Sequence, residues 1–401
     1  MDHIQPEEVS LLNLEAFGWD SFFQRAFAPY EREGREPARV ILEHKNLYRV
    51  VTRDGERLAN LAGKFAWNAV RREDYPAVGD WVVIQVQPEG QRAVIHAVLP
   101  RRSKFSRKAA WTTMDEQIVA ANVDTVLLVC GLDHNFNLRR MERYLVLAWE
   151  SGATPVIVLN KADLCPDVAQ KVQETEAVAA GVPIHAVSAE TGDGLNRLIP
   201  YLAPGKTVAL LGSSGVGKST LVNRLLGGDV QAVQSVREKD GRGRHTTTHR
   251  ELFVTPYGGL IMDTPGMREL QLWDVSDGFT GAFADIEEWA AQCRFRDCRH
   301  DSEPGCAVRA AVEAGELAPA RLANYRKLLR EQAYLERKID PQRCAMKKKS
   351  AKKSTASCGV RRSGGNPLVQ NRRGLPPCAM GPLSANAVWP CSSSAVEANP
   401  F

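Results

Sequence analysis

The chain has no apolar run of about 18–20 residues, the length a helix needs to cross a bilayer, so a membrane span is not expected. Its first residues, MDHIQPEEVS, contain acids and no apolar core, which excludes a secretory leader over that stretch. Net charge is also scarce. A formal +5 over 401 residues says little as a sum, so the places where charge gathers matter more. The nine cysteines do not fall into a disulfide framework. Three lie beside a histidine within residues 293–306, a pattern for metal in a reducing cytoplasm. What is present is ordinary globular material, 44% apolar and 25% charged. The length exceeds the ~250–300 residues that one core usually fills, so two or three domains are expected.

Residues 1–37 read as an N-terminal arm with a short helix from Trp19 to Phe27. Over residues 38–100 the segments RVILEHKNLYRVVT, RLANLAGKFAW, DWVVIQVQ and AVIHAVL alternate with period two between Gly and Asp turns. That texture predicts a closed β-structure of about five strands, OB-like, with an SH3-like barrel as the alternative. Residues 101–114 open with RRSKFSRK, free of acids, and read as a basic linker. Over residues 115–280, apolar runs at 125–130, 155–160, 183–188, 207–212, 251–255 and 260–264 alternate with amphipathic stretches. This is the rhythm of a mostly parallel α/β sheet. Residues 281–342 form a Cys/His segment followed by a helix from about Pro319 to Lys338, and residues 343–401 read as a disordered tail.

Residues 212–219, GSSGVGKS, are a complete phosphate loop between the apolar strand TVALL and the amphipathic STLVNRLLG. Gly212, Gly215 and Gly217 let the backbone around Ser213, Ser214 and Val216 curl its N–H groups toward phosphate oxygens at a helix N-terminus. Lys218 is the residue to reach the β- and γ-phosphates and Ser219 the Mg²⁺ ligand, with Thr220 beside it.

Base choice comes from Asn160-Lys161-Ala162-Asp163, directly after the strand PVIVL. A carboxylate at Asp163 can accept from guanine N1–H and the exocyclic amine, which adenine lacks there. Ser188-Ala189-Glu190 supplies a second loop whose N–H can read guanine O6. Asp263-Thr264-Pro265-Gly266 closes the strand GLIMD, with Asp263 placed to hold Mg²⁺ through water and Gly266 to bond the γ-phosphate. Between them GRGRHTTTHR (241–250) reads as a switch loop whose threonine ligates Mg²⁺. Thr247 is the chosen residue, with Thr246 and Thr248 open. Met267 follows the DxxG glycine, where Ras-type enzymes carry a water-orienting glutamine, so slow intrinsic turnover is expected. His245 is a candidate to position the water, or else a polar loop residue or RNA contact. The base-reading motifs precede the phosphate loop, which is a circular permutation of the familiar order.

Cys293, Cys298, His300 and Cys306 give C-x4-C-x-H-x5-C. Three thiolates and one imidazole fill a tetrahedral Zn²⁺ site and leave no open position, so the metal would be a single structural ion. Residues 341–373 hold ten Lys/Arg and no Asp or Glu, suited to a phosphate backbone.

Taken together, NKAD, SAE, GSSGVGKST, GRGRHTTT and DTPGMRE resemble the ribosome small-subunit-dependent GTPase A family of YjeQ/RsgA-type proteins over roughly residues 38–342. The resemblance implies an N-terminal OB domain, a permuted GTPase core and an α-rich C-terminal zinc domain. It also implies a Mg²⁺-dependent enzyme that docks on the small ribosomal subunit and its rRNA late in assembly. Such an enzyme turns GTP into GDP and phosphate faster on the subunit, then leaves, acting as a monomeric checkpoint. The alternatives are a permuted GTPase serving another RNA, the large subunit or a tRNA, or a nucleotide-gated RNA-binding module with little hydrolysis.

Overall fold

The computed structural model describes residues 13–31, 33–44, 47–88, 92–108, 116–228, 251–263, 276–296 and 298–334. Five strands close the front of the chain: β1 (Glu36–His44), β2 (Leu47–Thr52), β3 (Gly55–Leu61), β4 (Trp81–Val86) and β5 (Arg92–Val98). Their order is β1-β2-β3-β5-β4, and β4 returns to pair with β1. All pairs are antiparallel except β3–β5, which is parallel. This order is that of an OB-like barrel and removes the SH3-like alternative. Inward residues Val40, Tyr48, Val50, Val82, Ile84 and Ile95 fill the barrel, the alternation that a closed sheet imposes. The stretch RLANLAGKFAW is not one strand: β3 ends at Leu61 and α2 (Gly63–Asn68) follows.

The helix expected over Trp19–Phe27 is α1 (Ser21–Glu31). Asp20 caps it, its carboxylate accepting from the N–H of Phe22 at 2.9 Å and of Phe23 at 3.4 Å. Trp19, Phe23 and Phe27 are buried, and Trp19 meets the barrel's fully buried Trp81 edge-on at 4.7 Å. Here the N-terminal segment is part of the core.

Residues 101–108 correct an expectation. In place of a solvated linker they form β6 (Lys104–Lys108), antiparallel to β7 (Glu116–Ala121). Arg101 turns inward and grips the fully buried Asp80 with Nε at 2.8 Å and Nη2 at 2.7 Å. Oδ2, the oxygen that Nη2 meets, also takes the Ala77 N–H at 2.8 Å. A bidentate pair of this kind holds a buried carboxylate that would be costly alone. Residues 109–114 lie outside the described residues.

Behind the barrel lies the sheet β10-β9-β8-β11-β13-β12. Its strands are β8 (Thr125–Gly131), β9 (Thr154–Asn160), β10 (Ile184–Ala186), β11 (Thr207–Leu211), β12 (Glu251–Val254) and β13 (Leu260–Asp263). Every pair is parallel except β12–β13. β8 and β11 are buried throughout, which is why they read as unbroken apolar runs. Among the described residues a single pair, Leu42 with Glu251, joins β1 to β12 and fuses barrel and sheet into eleven strands. Nearby, the buried Arg39 donates to Gly79 O at 3.3 Å, Asn122 O at 3.2 Å and Thr207 Oγ1 at 2.9 Å. Burial draws its guanidinium down to about 10, against the pull of Asp124 and Asp80.

Helices α3 (Leu138–Ser151), α4 (Val168–Glu176) and α5 (Lys218–Leu225) connect the strands. The C-terminal segment contributes α6 (Ser276–Ala282), α7 (Ala284–Ala290), α8 (Ala307–Glu313) and α9 (319–334). Glu142 of α3 is fully buried and accepts from Arg139, from Arg321 Nη1 at 3.0 Å and from Asn324 Nδ2 at 2.5 Å. Arg321 also holds Asp285 through two bonds of 2.7 Å. On α9, Leu322 and Tyr325 are core residues, whereas Tyr334 is 52% exposed.

Candidate functional site

The nucleotide motifs converge at the carboxyl ends of β9, β11 and β13, where an open parallel sheet presents its crevice. After β11 the chain curls through residues 212–217, with Gly215 at φ +77° and Gly217 at φ +92°, and enters α5 at Lys218. A Cβ on Gly217 would lie 2.3 Å from Asn160 Nδ2. Only glycine allows that approach and that φ. Lys218 Nζ donates to Gly212 O and Ser213 O, both at 2.7 Å, so its ammonium lies inside the loop. Ser219 and Thr220 line an open cavity of about 650 Å³ with Asn223 and Arg224.

Asn160, at the end of β9, is buried and joins three loops. Its Nδ2 donates to Val216 O of the phosphate loop at 2.8 Å, and its Oδ1 accepts the Ala189 N–H at 2.9 Å. That bond engages the Ala189 N–H within the protein. Lys161 takes the left-handed conformation, φ +64°. This turn sends its ammonium to Gly215 O at 2.7 Å and Asp133 Oδ2 at 2.7 Å. Partial burial pushes the Asp133 carboxyl up, but the bonds from Lys161 and the Asn135 N–H outweigh it and bring it down to about 2. Asp163 then falls in a short 3-10 turn (Ala162–Leu164), exposed, with no hydrogen-bond partner among the described residues. Its acceptors are open to solvent. Ser188 is buried and accepts the Thr191 N–H at 3.1 Å.

Two supports of these loops were not legible in the sequence. Arg224 of α5 donates to Ala189 O at 3.1 Å and Glu190 O at 2.6 Å, tying the second base loop to the phosphate helix. Asp133 holds Lys161 in place. Both act across long separations and belong to no spaced motif. Asp263 ends β13, two strands from β8 across β11. Gly266, His245, Thr246, Thr247, Thr248 and Met267 lie outside the described residues.

Farther along, Cys293, Cys298, His300 and Cys306 bring four ligand atoms within 4.8 Å of one another. Cys293 Sγ to Cys306 Sγ is 3.9 Å, and these sulfurs lie 3.6 and 3.5 Å from His300 Nδ1. Bond lengths for zinc, taken tetrahedrally, require about 3.8 Å between sulfurs and about 3.6 Å from sulfur to nitrogen. The cluster can hold a metal ion.

A small ribosomal subunit biogenesis GTPase RsgA of Opitutus terrae is 50% identical over 339 residues, covering 82% of this chain and 92% of its own length. The chain belongs to the RsgA GTPase family. The family model for RsgA GTPase matches residues 98–273. The Streptomyces coelicolor protein of the same name is 45% identical over 346 residues, 86% of this chain and 93% of its own. Among solved structures, YjeQ from Thermotoga maritima aligns over 75% of this chain and 99% of its own, at 33% identity and TM-score 0.57. YloQ, described as a circularly permuted GTPase, aligns over 75% and 95%, at 26% identity and TM-score 0.55. The chain is a GTP-hydrolysing enzyme of that permuted architecture. No helix among the described residues is long and apolar enough to cross a membrane.

Proposed function

We propose that this GTPase binds the small ribosomal subunit through rRNA late in assembly, hydrolyses GTP faster when bound there, and dissociates with GDP, acting in the cytoplasm as a monomer. The observation that carries this reading is the match along nearly the whole length of relatives named for small-subunit biogenesis, with the base and phosphate loops assembled around Asn160. In this reading Asp163, Lys161, Ala162 and the Ser188–Glu190 loop take the guanosine, and residues 212–220 the phosphates. Ser219 and Thr247 would hold Mg²⁺, with Asp263 reaching it through water, and Gly266 would meet the γ-phosphate. Met267 in place of a water-orienting glutamine leaves water unplaced, which makes a partner necessary for fast turnover; His245 is the residue proposed to supply that orientation.

The test is GTP turnover of the full chain alone and with purified small subunits, large subunits or tRNA. Stimulation by small subunits alone supports the reading. Stimulation by large subunits or tRNA instead would move the enzyme to another RNA. A rate that no RNA changes would reduce it to a nucleotide-gated binding module.

The four-ligand cluster is proposed to hold one structural zinc ion. Cys306 also caps α8, its Sγ accepting the Arg309 N–H at 3.4 Å. Replacing it with serine is expected to remove a ligand outright, weakening zinc by more than the ~10–100-fold that outer-shell partners are worth. The preparation should lose its zinc and unfold at lower temperature, read by metal analysis and thermal melting. Zinc retained at one per chain in Cys306→Ser would sink the ligand assignment.

A further inference from the structure

Three arginines open α3, and two are matched by carboxylates. Arg139 bonds Glu142, and Arg143 Nη1 bonds Glu331 Oε2 at 2.6 Å. Arg140, between them, has no carboxylate partner among the described residues. Its Nη1 donates at 2.8 Å to the hydroxyl of Ser213, the second residue of the phosphate loop. Two features make this a poor place for an unmatched cation. Arg140 lies in the first turn of α3, after the cap Asn137, and that turn contains no acid, so the helix dipole is unfavourable to positive charge. The side chain is also partly buried. Lys218 converges on the same residue, its ammonium on Ser213 O. Two cations therefore flank Ser213, one through the main chain and one through the hydroxyl. An anion at the loop would relieve both.

We propose that Arg140 is a second cation for the terminal phosphate of bound GTP, supplied from within the chain and parked on Ser213 until the triphosphate arrives. During hydrolysis water attacks the γ-phosphorus and the bond to the β,γ-bridging oxygen breaks. Negative charge grows on that bridging oxygen while the γ-oxygens stay charged. A guanidinium there lowers the energy of the charge distribution in the transition state, the service that an arginine finger gives other GTPases. GDP has no γ-phosphate, so the contact favours triphosphate over diphosphate. The inference rests on GTP hydrolysis itself and on no ribosomal partner.

The test compares Arg140→Gln, which keeps a donor for Ser213 but no charge, with Arg140→Lys, which keeps the charge. Arg143→Ala, on the same helix and paired away from the loop, is the control. Each full-length protein is titrated with GDP and with the β,γ-imido analogue of GTP, and single-turnover hydrolysis is followed at saturation. Arg140→Gln should weaken the analogue about tenfold and slow hydrolysis on the order of 10²-fold, short of a full arginine finger because the site is partly solvated. Its GDP affinity should stay within about twofold, since a γ-specific contact adds nothing to a diphosphate. Arg140→Lys should recover part of both losses, and the control should match the parent. Equal weakening of GDP and analogue would show a general effect on the loop and overturn the proposal. So would parental behaviour of Arg140→Gln.

Discussion

Replacing Lys218 with alanine is expected to abolish nearly all turnover, by on the order of 10³-fold, while leaving the fold intact. The reason lies in what the ammonium touches. Its bonds to Gly212 O and Ser213 O, both 2.7 Å, hold it in the bowl of the loop where phosphate oxygens would displace those carbonyls. An alanine leaves the carbonyls free to meet water, so stability changes little, but the growing charge on the phosphates loses its nearest cation. Single-turnover hydrolysis at saturating GTP reads the effect directly, and a thermal melt checks the fold. GDP binding should suffer less than binding of a triphosphate analogue. A variant that turned over within tenfold of the parent would remove Lys218 from the chemistry.

Asp163→Asn is expected to change which base is held. The native carboxylate is exposed, and its acceptors lack partners among the described residues. An amide presents one donor and one acceptor where guanine needs two acceptors. Because the position is solvated, the loss of GTP affinity should be about 10²-fold, below the 10⁴–10⁵ of a fully buried reader. Xanthosine triphosphate, whose O2 accepts where guanine's amine donates, should gain affinity on the same protein. Competition titrations with GTP, XTP and ATP distinguish the outcomes. Unchanged preference for GTP would mean that the base is read elsewhere.

The parts of this site that the sequence revealed are those in which chemistry is local. A strand, a glycine-rich curl and a helix occupy consecutive residues, so β11, the loop and α5 declare themselves together. NKAD is likewise one strand end and one turn. The same locality made the five barrel strands and the Cys/His cluster readable, since the spacing of such a cluster is set by short loops. What remained hidden depends on contacts between residues far apart. Arg101 reads as one more charge in a basic run, yet Asp80, twenty-one positions earlier, pulls it into the core. Glu142 lies on an amphipathic helix, and only Arg321, Asn324 and Arg139 explain its full burial. Arg140 and Arg224 look like surface charge until Ser213 and the Ala189 carbonyl come beside them. No period or spacing encodes such partners, because each is chosen by the packing of several elements at once.

The position of β11 between β8 and β13 bears on how this protein is born. In a nascent chain β8, β9 and β10 emerge first and can pair, but the other edge of β8 must wait for β11, which begins about 75 residues after β8 ends. At ~5–20 residues per second that is a delay of several seconds. Throughout it one edge of a largely apolar strand, buried end to end in the folded protein, stands open to other chains, so aggregation during synthesis should concentrate on β8. Arrival of the phosphate-loop strand closes that edge.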